Sequence, residues 1–334
     1  MKEKIRVLII GCGSIGERHT RVLQKLGVGE IILCDANVDN LTRVAEKYNI
    51  KETYIDYNEA FKSGINAVVI CTPNNLHIPI ALKACEENCH IFTEKPLSHN
   101  LDNVDRLIKL AEERNLVLMV GYCLRFHPAL IFIKKVIDER KIGNILSFRF
   151  EVGSYLPEWR PGSDYRKNYA VSPSSGGGVI LDLSHEIDYI QWLGGKVREV
   201  FCYSDTLSDL EIKTEDTAEI LLRFENRAIG EVHMDYVQRA PRRDYQIIGD
   251  KGTILCDYNE ETVKVFTCLK KVWETYSFKI ERDDIFAEQD RHFFQCIKEN
   301  KRPLVDGVEG KKSLILALTA KESSKKGMPV KPIY

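Results

Sequence analysis

The sequence predicts an α/β protein with two domains: a doubly wound parallel sheet, then an α/β domain with an open, largely antiparallel sheet. In the first part of the chain, apolar runs rich in Val and Ile alternate with helical patterns, which is typical of parallel strands joined by helices. From Val197 onward, strand-like segments follow one another through short polar turns, which indicates antiparallel neighbours. A length of 334 residues favours two domains. We expect boundaries at 1–122 and 123–334, with the last helix able to pack back on the first domain.

Periodicity gives the elements of the first domain in order. The predicted strands are Ile5–Ile10, Glu30–Cys34, Thr53–Ile55, Ala67–Cys71, His90–Thr93 and Leu116–Val120. Helical patterns follow the first, second, fourth and fifth of these strands, the last three at Val38–Tyr48, Ile78–Glu87 and Leu101–Arg114.

The second domain begins with a helix and a long strand, and it ends with two helices. The predicted helices are Ala129–Arg140, Val179–Leu193, Phe286–Glu299 and Gly307–Lys325. The predicted strands are Ile145–Tyr155, Glu199–Tyr203, Ala218–Phe224, Ala228–Val237, Tyr245–Ile248, Thr253–Cys256 and Val263–Phe266.

The first strand is followed by three glycines in the spacing G-x-G-x-x-G, and a helix begins after them. Strand, glycine turn and helix in this order are the context of a dinucleotide-binding turn in a Rossmann domain. Gly11 would allow the tight turn, Gly13 would let the backbone approach a pyrophosphate, and Gly16 would let helix and strand pack closely. The helix start offers free N–H groups to the phosphates. The expected phosphate contacts are Gly11, Gly13, Ser14, Ile15 and Gly16.

The second strand ends in Asp35, 19 positions past Gly16. A carboxylate at this place can accept hydrogen bonds from both ribose hydroxyls of the adenosine half. It would also repel a 2′-phosphate, and the next residues, Ala36 and Asn37, supply no arginine to bind one. The predicted cofactor is therefore NAD rather than NADP. A glycine turn in an α/β domain that binds no nucleotide is the alternative.

Composition excludes several other classes of protein. Lysine and arginine number 48 against 49 acidic residues, for a formal net charge of −1, which argues against nucleic acid or an acidic membrane as the main partner. No apolar run approaches the roughly 20 residues needed to cross a bilayer, and the N-terminus enters the first strand at once, so we expect a cytoplasmic protein. The ten cysteines are scattered. Only Cys85, Cys89 and His90 come near metal-ligand spacing, and without a second ligand pair we expect no metal.

Polar residues follow two further strands at the edge where parallel sheets bind ligands. After the fourth strand, the residues of the segment 72–77 are expected to face the proposed cofactor crevice; alternatively, they form a turn and a helix cap. The fifth strand is followed by Glu94, Lys95 and Pro96. A lysine beside a nicotinamide is well placed to act on a substrate hydroxyl, and Pro96 restricts it to an extended conformation. A surface lysine is the alternative. The additional cofactor contacts expected here are Thr72, Pro73, Asn74, His77, Glu94 and Lys95.

In the second domain, the segment Pro157–Gly178 is rich in Pro, Gly, Ser and aromatic residues. A long irregular segment in a compact domain is usually functional or mobile. In the helix that follows, Asp182, His185 and Asp188 lie three apart and can share one face. An acid–imidazole pair directed at Lys95 would make a proton-transfer site, since histidine titrates near neutral pH. A helix with a buried, hydrogen-bonded histidine is the alternative.

The segments GCGSIGERH, CTPNNLH, TEKPL and GYCLRFHP, with the later GGG, Asp182 and His185, resemble the Gfo/Idh/MocA oxidoreductases over nearly the whole chain. The step from Asp182 to His185 is three positions here, whereas many members have four. The resemblance implies that Lys95 contacts the reacting hydroxyl, that the substrate is a sugar, nucleotide-sugar or cyclitol, and that the protein is a homodimer or homotetramer.

The sequence therefore predicts an NAD-dependent dehydrogenase acting on a secondary alcohol. Lys95 would polarise the hydroxyl, His185 would be the general acid/base, and Asp182 would orient His185. A redox-assisted glycosidase and an NAD-binding sensor without chemistry are the alternatives, and the presence of both Lys95 and His185 argues against a sensor. The residues expected to line the substrate pocket are Lys95, Arg125, Trp159, Arg160, Tyr165, Asp182 and His185.

Overall fold

A computed structural model describes residues 5–160 and 162–334. The chain forms two compact units. The first combines the residues up to Cys123 with Glu281–Lys311, and the second combines Leu124–Ile280 with Lys312–Tyr334. The segment Glu281–Lys311 thus lies in the first unit and interrupts the range 123–334 that the sequence suggested for the second domain.

The N-terminal part of the first unit alternates strands and helices. They are β1 (Arg6–Ile10), α1 (Ser14–Leu26), β2 (Glu30–Cys34), α2 (Val38–Tyr48), β3 (Thr53–Tyr54), α3 (Tyr57–Phe61), β4 (Ala67–Ile70), α4 (His77–Glu86), β5 (His90–Glu94), α5 (Val104–Glu113) and β6 (Leu118–Gly121).

The six strands of this unit form one parallel sheet in the order β3-β2-β1-β4-β5-β6. The central strand β1 pairs with both β2 and β4, and its Val7, Leu8 and Ile9 have no exposed surface. Burial on both faces explains why these strands are continuous apolar runs rather than alternating ones. The predicted doubly wound sheet is confirmed, and it brings the carboxyl ends of all six strands to one edge.

Within residues 124–160 and 162–280, the second unit contains one sheet and three α-helices. Its elements are α6 (Pro128–Asp138), β7 (Ile145–Gly153), α7 (Val179–Asp182), α8 (His185–Gly194), β8 (Val197–Asp205), β9 (Thr217–Phe224), β10 (Ile229–Asp235), β11 (Arg242–Gly249), β12 (Gly252–Asp257), β13 (Thr262–Thr267) and β14 (Trp273–Ser277).

These eight strands lie in the order β14-β13-β12-β11-β7-β10-β9-β8. The pair β7 and β10 is parallel, and the other pairings described are antiparallel, which confirms the predicted open, largely antiparallel sheet. In β9, buried and exposed residues alternate, as expected for a sheet with one core face. The core face packs against α8, where Gly194 approaches the rings of Phe148 and Phe224. The edge strand β14 was not predicted.

The predicted single helix Val179–Leu193 is wrong. Helix α7 ends at Asp182, and helix α8 begins at His185. Leu183, between them, has φ −92° and ψ 25°, which lies outside the helical region. Asp182 therefore belongs to α7 and Asp188 to α8, so the two do not share one helical face. The irregular segment before α7 forms short 3₁₀ turns at Leu156–Glu158, Tyr165–Lys167, Tyr169–Val171 and Pro173–Ser175.

Two helices follow residue 280, α9 (Arg282–Glu299) and α10 (Gly307–Lys326). In the first unit, α9 packs against α1, and the guanidinium of Arg21 makes two hydrogen bonds of 2.7 and 2.8 Å to Asp283. No helix in the described ranges, 5–160 and 162–334, is both long and apolar enough to cross a membrane.

Candidate active site

The glycine turn between β1 and α1 is closed at two of its glycines and open at the third. Gly11 has φ +97°, and a Cβ there would lie 2.6 Å from the carbonyl oxygen of Cys71; a Cβ at Gly16 would lie 1.7 Å from the carbonyl oxygen of Gly11. Nothing lies within 4 Å of the Cβ position of Gly13. No side chain caps α1, which begins at Ser14 and continues with Ile15. The open space at an uncapped helix start fits a pyrophosphate.

Asp35 lies at the end of β2, beside the glycine turn. Its Oδ2 accepts a hydrogen bond of 2.6 Å from the N–H of Cys12, and its Oδ1 accepts one of 2.8 Å from the N–H of Asn37. These bonds orient the carboxylate, and each oxygen retains further acceptor capacity. This arrangement therefore fits the predicted role of Asp35 as a hydrogen-bond acceptor for the adenosine ribose.

Sequence analysis missed Arg43, which α2 brings to the glycine turn. Its guanidinium donates to the carbonyl oxygen of Cys12 at 3.3 Å and forms an ion pair with Glu17. Lys47 also pairs with Glu17, at 2.7 Å. Burial alone would raise the pKa of Glu17, but hydrogen bonds from Lys47 and Arg43 lower it to about 2. Two basic residues one helical turn apart were the available signal.

The segment after β4 connects the cofactor turn to the Lys95 segment. Asn74 is buried and begins a 3₁₀ turn after Thr72 and Pro73. The ring of His77 lies between two carbonyl oxygens, with Nδ1 2.9 Å from Pro96 and Nε2 3.0 Å from Thr72. Burial lowers the pKa of His77. His77 therefore makes contacts within the protein that tie this segment to Pro96.

Lys95 directly follows β5, at the same edge of the sheet as the glycine turn. The preceding Glu94 is buried, and both of its carboxylate oxygens contact protein groups: the Nε2 of His19 at 3.0 Å and the N–H of Lys95 at 3.2 Å. The contact with His19 was not predicted from the sequence. Glu94 thus lies behind Lys95 and is held by the protein itself.

In the second unit, Asp182 is surrounded by aromatic side chains. Its carboxylate accepts hydrogen bonds from the hydroxyl groups of Tyr169, at 2.7 Å, and Tyr236, at 3.2 Å. The indole of Trp159 packs edge-on against Tyr236, with ring centroids 5.3 Å apart, and its N–H donates to the carbonyl oxygen of Ser154. The structure therefore brings together Asp182, Trp159 and Tyr169, and adds Tyr236, whose only signal was its place at a strand end.

Arg125 is almost fully buried, with 2% of its side chain exposed. Its guanidinium makes two hydrogen bonds of 2.8 Å to the carboxylate of Asp188, which also accepts one from the hydroxyl of Ser313. Such a two-point pair fixes both side chains. Arg125 therefore contacts α8, three residues after His185.

A second buried ion pair holds the first turn of α8. Glu186, next to His185, has no exposed surface and lies 2.8 Å from the guanidinium of Arg243, and it accepts a hydrogen bond of 2.6 Å from the hydroxyl of Tyr189. Together with Asp188, it anchors the helix that begins at His185. Of the other predicted substrate contacts, Arg160 is exposed, and the hydroxyl of Tyr165 accepts a hydrogen bond from the N–H of Glu211.

Within the described residues, no group of three or more His, Cys, Asp or Glu side chains could hold a metal ion. Cys85 and Cys89 are buried, and the thiol of Cys89 donates to the carbonyl oxygen of Ile65. Burial raises the pKa of both thiols to about 12, so at neutral pH they are protonated and poor metal ligands.

Residues 5–122 match the family described as "Oxidoreductase family, NAD-binding Rossmann fold", and residues 131–255 match the "GFO/IDH/MocA C-terminal domain". The chain belongs to the Gfo/Idh/MocA oxidoreductase family. It is 30% identical to myo-inositol 2-dehydrogenase of Thermotoga maritima over 98% of both chains. It is 25% identical to scyllo-inositol 2-dehydrogenase (NAD(+)) of Bacillus subtilis, over 99% of this chain and 97% of the relative.

Among solved structures, a levoglucosan dehydrogenase in complex with NADH has the same fold, with a TM-score of 0.90 and 23% identity over 98% of this chain and 99% of that one. The present chain, as a member of the Gfo/Idh/MocA family, is an NAD-dependent oxidoreductase that acts on CH–OH groups. The predicted family, enzyme class and cofactor are confirmed.

The open and closed glycines of this family member predict opposite effects. Gly13→Ala should change the free energy of unfolding by less than about 0.5 kcal/mol, because its φ of −68° suits alanine and the space is empty. It should weaken NAD binding about tenfold, because the methyl group occupies that space. Gly16→Ala should destabilise the protein by at least about 1–3 kcal/mol. Urea unfolding and NAD titration of protein fluorescence measure both; equal stability losses would contradict the assignment.

Asp35→Ala should narrow the preference for NAD over NADP. In the unaltered protein, a 2′-phosphate beside this carboxylate should weaken binding about tenfold or more. Titration of each variant with both cofactors measures the ratio of the two dissociation constants. Asp39→Ala, an exposed acid on the first turn of α2, is the control and should leave the ratio unchanged. Equal affinity of the unaltered protein for both cofactors would refute this role.

Proposed function

We propose that this enzyme oxidises one secondary alcohol of a cyclic polyol, with inositols as the first candidate substrates, and that Lys95 and His185 carry the chemistry. The observation that carries the proposal is the position of Lys95, which follows β5 at the sheet edge where the glycine turn and Asp35 also lie. Ligands of doubly wound sheets bind at this edge. The two inositol dehydrogenases, similar over nearly the whole chain, support the choice of substrate class.

Lys95 is proposed to contact the oxygen of the reacting hydroxyl. Its ammonium group would stabilise the negative charge that develops on this oxygen as the C–H bond breaks. NAD, when bound, supplies the acceptor for the hydride. The remaining proton of the hydroxyl must then go to a base.

His185 is proposed to be that base, since imidazole accepts a proton near neutral pH. It begins α8, and the buried pairs of Glu186 with Arg243 and of Asp188 with Arg125 hold this helix. Precise placement of a proton acceptor is worth large factors in rate. Arg125 is thus proposed to act on the site through α8.

Asp182 and its aromatic neighbours are proposed to shape the substrate side of the site. The carboxylate of Asp182 is held by Tyr169 and Tyr236, and Trp159 packs edge-on against Tyr236. Hydroxyl-rich rings present both polar groups and apolar C–H faces, and clusters of acids and aromatic residues match both. Arg160 and Tyr165 remain predicted substrate contacts.

Substitution of Lys95 and His185 should lower turnover without abolishing cofactor binding. Lys95→Ala should reduce kcat far more than it weakens NAD binding, and Lys95→Arg should not restore it, because guanidinium differs in shape and hydration. His185→Ala should lower kcat by about 10²–10⁴. NADH absorbance with myo-inositol, scyllo-inositol and levoglucosan follows turnover, and fluorescence titration follows NAD.

Asp182→Asn should reduce kcat less than His185→Ala, because it keeps the shape of the cluster. If Lys95→Ala or His185→Ala has a near-normal kcat on a polyol that the unaltered enzyme oxidises, the catalytic role proposed for that residue is wrong. Release of free sugar without net NADH would indicate a redox-assisted glycosidase, and NAD binding without turnover of any polyol would indicate a sensor.

We also propose a homodimer or homotetramer formed through the sheet face opposite α8. This face exposes large apolar side chains on neighbouring strands, including Tyr203, Leu221 and Ile229, and such exposure favours an interface. The ten cysteines are free thiols, eight of them buried, which supports a reducing compartment and a cytoplasmic location.

Light scattering at micromolar concentration should give the mass of a dimer or tetramer. The double variant Leu221→Lys, Ile229→Lys should shift it toward the monomer, because burying two charges at an interface is unfavourable. Ile55→Lys, an equally exposed apolar position in the first unit, is the control. A monomeric unaltered protein would refute the proposal.

A further inference from the structure

A buried row of three ionisable side chains lies behind Lys95 in the first unit. The Nδ1 of His19 is 3.1 Å from Asp290, and its Nε2 is 3.0 Å from Glu94. His19 is fully buried, and Asp290 and Glu94 are 3% and 8% exposed. The row joins α1, α9 and the end of β5, three elements far apart in the sequence.

The geometry suits a cationic His19. Each ring nitrogen faces a carboxylate oxygen, and only the protonated ring can donate to both. Burial alone would lower the pKa of His19, but the charges of Asp290 and Glu94 and their hydrogen bonds raise it to about 10. Burial would also raise the pKa of Glu94, but the hydrogen bond from His19 lowers it. An imidazolium therefore faces an ionised Glu94 at neutral pH.

Glu94 is the member of the row that lies next to Lys95 in the chain and contacts its backbone. Its Oε1 accepts from His19, and its Oε2 accepts from the N–H of Lys95 at 3.2 Å. On a third side, a Cβ at Gly121 would lie 3.1 Å from the carboxyl group, so little space remains for another rotamer. The His19 ring is also confined, because Phe92 and Phe286 pack against it in T-shaped contacts with ring centroids 5.1 and 5.7 Å away.

A purely structural role does not account well for this row. Buried charges lose hydration, and apolar side chains of similar volume are often equally or more stabilising. The row also ends at the residue beside Lys95 rather than at an arbitrary point of the core. Side chains that hold a functional group in place commonly form such a supporting layer.

We propose that His19 is a positioning residue for Lys95: it orients the carboxylate of Glu94, which in turn holds the backbone from which the Lys95 side chain extends. This inference rests on the role of Lys95 in the proposed function. The same helix, α1, begins at the glycine turn and carries His19 one turn later, so one element sets both the phosphate contacts and the support of the lysine.

Two isosteric substitutions separate the two ends of the row. His19→Gln places an amide N–H₂ near the former Nε2, facing Glu94, whereas His19→Asn places one near the former Nδ1, facing Asp290. Both remove the positive charge. If the hold on Glu94 matters, His19→Asn should lower kcat about 10- to 100-fold, and His19→Gln should lower it clearly less. NAD affinity, measured by fluorescence titration, should change little in either.

His90→Asn is the matched control. His90 lies in the same unit, half-buried, and its Nδ1 accepts from the N–H of Val117, a bond that the asparagine oxygen can accept in turn. It should leave kcat unchanged. Circular dichroism and thermal unfolding establish that each variant folds. If the His19 variants do not fold, Glu94→Gln, which keeps the volume and removes the charge, takes the place of His19→Asn with the same expected loss of kcat.

A double-mutant cycle with Lys95→Ala then tests the route of the effect. If His19 acts through Lys95, adding His19→Asn to Lys95→Ala should lower the residual kcat little further, because the group it positions is already absent. Losses that multiply, or equal kcat for His19→Asn and His19→Gln, would overturn the inference, while the low kcat of Lys95→Ala would still support the proposed function. Normal turnover by Lys95→Ala alone would instead overturn the proposed function.

Discussion

The close approach of α1 to β1 is the constraint on which the rest of the first unit depends. Gly16 lies so near the carbonyl oxygen of Gly11 that no side chain fits between them. This contact sets the direction of α1, and with it the uncapped N–H groups at its start, the place of His19 one turn later, and the face that receives α9. A single steric restriction thus connects the phosphate turn to the support of Lys95.

In the second unit, buried charges hold the helix that begins at His185. Two buried ion pairs, Glu186 with Arg243 and Asp188 with Arg125, hold α8 directly after His185. Removing one partner of such a pair leaves an uncompensated buried charge and costs about 3–5 kcal/mol. The helix therefore has little freedom to move. Rigid placement of this kind suits the role of proton acceptor proposed for His185.

The sequence predicted those features whose cause is local. The turn at Gly11–Gly16 and the acid at Asp35 depend on residues within one strand–turn–helix unit, and the parallel strands depend on their own apolar runs. The strand β14 escaped notice because none of its residues is buried, so it carries no hydrophobic pattern. The hydroxyl groups that hold Asp182 beside the helix break come from Tyr169 and Tyr236, 13 and 54 residues away in the chain, so no local pattern around Asp182 indicates them. Likewise, an amphipathic pattern gave α9 an apolar face but could not indicate which unit that face covers.

The discontinuity of the first unit has a consequence for how the protein is made. Asp290 and Phe293 come from α9, yet they complete the burial of His19 and Phe92 beside the parallel sheet. When the residues up to Cys123 have left the ribosome, the surface around His19 and Phe92 is not yet covered by α9. The apolar rings and the imidazole lack this cover until α9, which ends at Glu299, has also been synthesised. Completion of the nucleotide-binding half must therefore follow translation of the other half, and in that interval the exposed rings offer a surface to chaperones.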